Sequence, residues 1–247
     1  MIQRKQHLPT LSKRPPPNGP LPFHKNAILS KCSDADRKHL SRGAEFVRIA
    51  QHDVMYEADE AYETLWFPVN GMVSIVADGG RGSGIEVGAA GYEGMIGFEA
   101  LLGAKSSPRR QFCQVGGEAI TVPIESVEKV FSSGAPQRAF HSFLHAHIIE
   151  ASQSAVCNRL HTADQRLARW LLATRDRMRS DDFGLTHEFL SQMLGARRST
   201  VSLSANKFKS KGWIHYSRGK LQVKDVKALK KATCECYAII RSHQQLM

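Results

Sequence analysis

The residues best suited to act on another molecule lie in one stretch, from Leu185 to Phe208. Thr186 is a good N-cap, Glu188 follows in the first turn, and Leu190, Met193 and Leu194 share an apolar face, which predicts a helix of about two turns. Gly195 can take the tight bend that follows. A second helix is predicted from near Arg197, with Val201, Ala205 and Phe208 inward and Arg198, Ser199, Ser202 and Leu203 outward. A short helix, a glycine turn and a helix tipped with arginine and hydroxyls form the helix-turn-helix pattern, whose second helix enters the major groove of DNA. The Arg198 guanidinium could take guanine bidentately, for about 1–3 kcal/mol of discrimination against the wrong base.

The segment Trp213 to Val223 reads as two short strands around Ser217-Arg218-Gly219-Lys220, a wing whose Arg218 and Lys220 would touch phosphates without reading sequence. With Thr186, His187, Arg197, Thr200 and Lys207, these complete the candidate DNA-binding set. The charge falls where such a surface needs it. Residues 159–247 carry 18 basic against 7 acidic side chains, whereas residues 26–158 carry 11 against 16. This suggests two domains, of which only the second would be drawn to a polyanion.

The elements that must position this surface are legible from periodicity. Residues 1–25, with Pro9, Pro15-Pro16-Pro17, Pro20 and Pro22 and five basic residues, are expected to form a mobile basic arm. From 46 to 124, short runs rich in β-branched and aromatic residues (46–49, 54–56, 64–67, 72–76, 85–87 and 119–122) alternate with Gly, Asp, Asn and Pro, which predicts a jelly-roll sandwich or barrel. The cluster Gly79-Gly80-Arg81-Gly82-Ser83-Gly84 fits a hairpin tip, because no Gly-Lys-Ser/Thr follows it. After Pro136 helical spacing takes over. The stripe Phe140, Leu144, His147/Ile148, Ala151, Ala155 and Asn158 could lie on the β-domain or pair with its copy in a second subunit. Ala163, Leu167, Trp170, Leu171 and Thr174 mark the helix that opens the basic domain.

In this order of parts the chain resembles the Crp/Fnr family of bacterial transcription regulators over roughly residues 26–240, most specifically at Gly195, Arg198, Thr200 and Val201. The resemblance implies an α+β chain: an N-terminal β jelly roll (double-stranded β-helix) of the cyclic-nucleotide-binding type over 26–135, a long dimerisation helix over 136–162, and a C-terminal winged helix-turn-helix over 163–247. It implies a cytoplasmic homodimer on a near-palindromic double-stranded DNA operator, with RNA polymerase as a further partner, and no enzymatic activity. Two positions depart from the family pattern. Ser199 stands where an acid often accepts from cytosine, and Leu203 where a second arginine is common, so a different operator is expected.

The sensor half departs further. Members that bind cyclic nucleotides hold the ribose with a Gly-Glu pair and the phosphate with Arg-Ser or Arg-Thr. The comparable residues are Gly97, Phe98 and Glu99, followed by Arg109 and Arg110 with no hydroxyl after either arginine. No cyclic nucleotide is expected, although Glu99 with Arg109 or Arg110 could rebuild the site by a one-residue shift.

Cofactor chemistry is not expected either. An iron–sulfur sensor needs about four thiolates in one site, and only Cys32 precedes residue 113. Cys234-Glu235-Cys236 is too close-spaced for a usual zinc pair, with no second pair in sequence, so these thiols read as structural or incidental. His141 and His145 could share a helix face as metal or haem ligands, beside His147, but such a pair is more often an interface feature. A cupin-like metalloenzyme needs several histidines on neighbouring strands, and residues 46–124 hold only His52. No apolar run approaches the roughly 18 residues of a membrane span, the opening residues lack a signal-peptide pattern, and the basic residues do not form one amphipathic face for lipid.

Overall fold

Alternation of apolar side chains builds the N-terminal half. The computed structural model describes residues 12–13, 19–80, 84–185, 187–217 and 219–244. In it one antiparallel sheet holds β1 (Ser12–Lys13), β2 (Glu45–Ile49), β3 (Val54–Tyr56), β4 (Thr64–Asp78), β5 (Gly84–Ala90) and β6 (Arg109–Pro123). The order is β1-β2-β6-β4-β5, with β3 also on β6. Two strands are longer than the sequence suggests. The runs 64–67 and 72–76 belong to one strand, because Asn70-Gly71, which reads as a turn, makes a bulge instead. There Gly71 (φ +84°) approaches β6 so closely that a Cβ would stand 2.9 Å from the Val115 carbonyl oxygen.

The two faces of the sheet feed two cores. Val73 and Ile75 of β4 point into the first, with Phe67, Ile120, α1 (Asp34–Leu40), α2 (Ile124–Val130) and the start of α3 (Gly134–Leu160). Met72 and Val76, one step out of phase, point into the second. The side chain of Ser33 accepts from the Asp36 backbone N–H, and Asp36 accepts from Ser33 in return, which caps α1. The expected arm reaches less far than residue 25: Phe23 packs into the first core and Ser12–Lys13 pairs with β2. Its other early residues, 1–11 and 14–18, lie outside the described residues.

The second core carries the C-terminal half: α4 (Ala163–Met178), β7 (Asp182–Gly184), α5 (His187–Met193), α6 (Arg198–Ser210), β8 (Ile214–Ser217), β9 (Lys220–Val223), α7 (Val226–Ala232) and α8 (Cys236–Gln244). Thr162 and Gln165 form a reciprocal cap that starts α4 directly after α3 ends. Strands β7, β9 and β8 form a small sheet in that order. β7 was not anticipated, since three residues are too few to show an alternation.

Helix α3 divides its faces. Phe140, Phe143, Ala146, His147, Glu150 and Ser154 are buried against its own chain, so the Phe140 and His147 positions of the predicted stripe face inward. His141, His145, Ile148, Ser152, Ala155 and Leu160 are exposed, Ile148 at 62% and Leu160 at 70%. Among the described residues no helix is long and apolar enough to cross a membrane.

Candidate nucleic-acid interface

Burial of one face of α6 leaves the other available. Val201, Ser204, Ala205 and Phe208 enter the core, and Leu190, Met193 and Leu194 of the preceding helix meet them there. Gly195 makes the bend with φ +54°. The Arg197 side chain gives no capping hydrogen bond, and no acid lies in the first turn of α6, so the positive end of the helix dipole coincides with two arginines. Arg197, Arg198, Ser199, Thr200 and Lys207 are exposed, Ser202 is half-buried, and Leu203 is 72% exposed. The predicted recognition residues therefore share one outward face. Thr186 and Arg218 lie outside the described residues, as does the side chain of His187.

The wing is tied to this unit. The Leu185 N–H donates to the Gly219 carbonyl at 2.7 Å, and the Tyr216 hydroxyl donates to the Leu185 carbonyl at 3.0 Å. Lys220, at the start of β9, is exposed as expected. Lys207 differs in having a partner within the chain: its Nζ lies 2.5 Å from Asp164 Oδ2, in the first turn of α4. Partial burial pushes the Asp164 carboxyl up, but hydrogen bonds from Lys207 and Ser204 outweigh this and hold it below its ordinary value. Sequence could not show this pair, because its members are 43 residues apart.

Of the residues expected at an effector pocket, Gly97, Phe98, Glu99 and Arg109 come together and Arg110 does not, and Glu99 Oε2 is buried without a hydrogen-bond partner. Gly97 (φ +80°) opens a short 3-10 helix, Phe98–Leu102, that holds Phe98 and Glu99 in the interior. Arg109 Nη2 donates to Glu99 Oε1 at 2.6 Å, and Gln111 Nε2 donates to the same oxygen at 3.1 Å. Phe98 meets the rings of Phe143 and His147 of α3, with centroids 5.5 and 4.9 Å away. Arg110 turns outward to an exposed pair with Glu57. Burial pushes the His147 imidazole down to about 4, and Arg109 and Arg177 act in the same direction.

Two further groupings escaped the sequence reading. Arg177 of α4 is buried between Glu93 and Glu150, with an N···O distance of 2.7 Å to each. The thiols of Cys234 and Cys236, structural or incidental by sequence, meet Cys157 and His161 at the end of α3. The i, i+4 spacing of Cys157 and His161 was the available signal for that second pair.

Comparison with known proteins agrees with this geometry. Residues 165–232 match the Crp-like helix-turn-helix domain. None of the curated proteins matches the chain. Among solved structures, FixK2 from Bradyrhizobium japonicum is similar with a TM-score of 0.66 at 17% identity, over 77% of this chain and 98% of that one. A transcriptional regulator of the Crp family from Thermus thermophilus gives 0.64 at 19% identity, over 75% and 95%. The c-di-GMP responsive global regulator CLP of Xanthomonas campestris gives 0.63 at 14% identity, over 78% and 100%. The Thermus thermophilus and Xanthomonas campestris proteins are described as regulators. Residues 165–232 thus form a Crp-like helix-turn-helix domain, carried on a chain with the fold of the Crp/Fnr-type transcription regulators.

Proposed function

We propose that the protein is a dimeric, sequence-specific DNA-binding transcription regulator of the cytoplasm that works without a cyclic nucleotide. The observation that carries this reading is the outward N-terminal face of α6, where Arg198, Ser199, Thr200, Ser202 and Leu203 surround a helix end of positive potential. Laid in the major groove, Arg198 reads guanine and Leu203 lies against a thymine methyl, while Arg197, Lys220 and, from the sequence, Thr186, His187 and Arg218 hold phosphates. The exposed stripe of α3 supports pairing of two chains in parallel. His141, His145, Ile148, Ser152 and Ala155 recur at spacings of four and three, the seam of a two-stranded coiled coil. Pairing places two recognition helices about 34–36 Å apart on a near-palindromic operator. RNA polymerase is a further partner of the DNA-bound dimer.

Independence from cyclic nucleotide rests on Arg109, whose guanidinium is bonded to Glu99, and on the Phe98, Phe143 and His147 rings beside it. A shifted ligand site would require Arg109 to leave that carboxylate. The test is selection of bound DNA from a random pool with and without cyclic AMP. One enriched near-palindrome, unchanged by the nucleotide, is expected. No enrichment refutes the reader, and enrichment only with cyclic AMP refutes the independence.

A further inference from the structure

Three thiols and one imidazole converge where α3 ends. Cys157 and His161 are one helical turn apart at the C-terminus of α3, and Cys234 and Cys236 flank the start of α8. One ligand atom from each lies within 4.8 Å of all the others. All four residues are withdrawn from solvent; the three cysteines are buried and the His161 side chain is 12% exposed.

We propose that Cys157, His161, Cys234 and Cys236 form a tetrahedral site for a single zinc ion. In a tetrahedron with Zn–S of about 2.3 Å, adjacent sulfurs stand about 3.75 Å apart. The Cys157 and Cys234 sulfurs are 3.6 Å apart, and Cys236 Sγ lies 3.6 Å from His161 Nδ1. Two edges of the tetrahedron are thus already set, and the widest pair needs to close by about 1 Å. The spacing leaves room for one ion rather than a multi-iron cluster. Three soft thiolates with an imidazole select zinc over magnesium or calcium, which take oxygen.

The surroundings match those of a metal-binding histidine. His161 Nε2 lies 3.2 Å from Glu235 Oε1, so the ring nitrogen turned away from the thiols donates to a carboxylate, which fixes the tautomer that presents Nδ1 to the ion. Arg169 of α4, 8% exposed, lies beside Cys157, and its Nε has no hydrogen-bond partner. A zinc ion with three thiolates carries one net negative charge, which that buried guanidinium offsets. On binding, the three S–H protons pass to solvent and zinc takes their place, with no change of oxidation state. The ion would fasten the end of α3 to the α7–α8 junction across 77 residues of sequence, directly beside the α3–α4 hinge at His161 and Thr162.

The test uses the full chain. Elemental analysis of protein purified without added metal is expected to give about one zinc per chain, and Cys234→Ser to lose most of it, while Cys32→Ser, remote from the cluster, keeps it. Because Cys234→Ser could unfold, the intact chain is also stripped with chelator under reducing conditions and titrated with Co(II). Intense sulfur-to-cobalt charge-transfer bands and tetrahedral d–d bands, saturating at about one equivalent, are expected. The proposal is overturned if the reduced chain neither carries zinc nor takes up cobalt, if Cys32→Ser and Cys234→Ser lose metal alike, or if anaerobically purified protein holds a Cys157–Cys234 disulfide.

Discussion

Phe189 of α5 meets Phe112 of β6 edge to face, with ring centroids 6.0 Å apart and planes at 89°. One ring belongs to the first helix of the helix-turn-helix and the other to the sheet, and both are buried in the second core. The reading head is therefore packed on the sheet, and Ile85 of β5 lies next to Gly195 in the turn before α6. A shift of the sheet would be felt at the bend that aims Arg198. Phe112→Ala removes the sheet's half of this contact and is expected to cost about 3–5 kcal/mol. Calorimetry should show one transition in the parent chain and two in the variant, the first core melting near its original temperature. A single transition shifted as a whole would show that the ring pair does not couple the halves.

Arg177 makes a second connection, binding Glu93 after β5 and Glu150 of α3 to α4. Removing the cation leaves two buried carboxylates facing each other, so Arg177→Met is expected to destabilise by about 3–5 kcal/mol. Adding Glu93→Gln and Glu150→Gln should restore most of that loss, because the cost lies in unpaired charge rather than in lost attraction. Urea midpoints of the single and triple variants check this, and equal midpoints would contradict it.

The amphipathic elements were legible in the sequence because each carries its own period: the 3.6 spacing of Val201, Ala205 and Phe208, the alternation through Val73 and Ile75, and the glycine at the bend. What escaped depends on residues brought together from far apart. The Asn70-Gly71 pair carries the composition of a turn, and only the close approach of β6 at Val115 and Gly117 makes it a bulge. Lys207 belongs to the DNA-binding set by sequence, and only the fold shows Asp164 of α4 beside it. Cys234 and Cys236 show no second ligand pair in the sequence, and only the fold brings Cys157 and His161 of α3 beside them.

Half-buried Glu86 and buried His147 should oppose each other as pH changes. Burial, partly offset by a hydrogen bond from Ser74 and reinforced by Glu150, pushes the Glu86 carboxyl from 4.5 up to about 7. His147 falls from 6.5 to about 4, again by burial, and neither ring nitrogen has a hydrogen-bond partner. For Glu86 the folded state holds its proton longer, so its contribution is full below pH 4.5 and is lost as pH rises to 7. For His147 the unfolded state takes the proton first, so its contribution is full above pH 6.5 and is lost as pH falls to 4. In the parent chain the two contributions therefore run in opposite directions as pH rises. Relative to it, Glu86→Gln should gain stability with rising pH, and His147→Leu should lose it, each by on the order of 3 kcal/mol across its window. Parallel midpoint curves for parent and variants from pH 4.5 to 8 would contradict both assignments.

Lys207 and Lys220 are both exposed cations near the proposed DNA face, but only Lys207 has a carboxylate 2.5 Å away. An ammonium neutralised by Asp164 releases little counterion on meeting a phosphate, whereas the proposed Lys220 contact contributes a full charge. Lys220→Ala is therefore expected to lower the slope of log affinity against log salt by about one unit, equally for operator and random DNA. Lys207→Ala should lower it by clearly less. Asp164→Asn should raise the slope, because it frees the Lys207 charge at a cost in stability of about 1 kcal/mol or less for so exposed a pair. Equal reductions for the two lysine variants would mean that Lys207 exchanges Asp164 for a phosphate when DNA binds, and that α6 tilts away from the first turn of α4 in the complex.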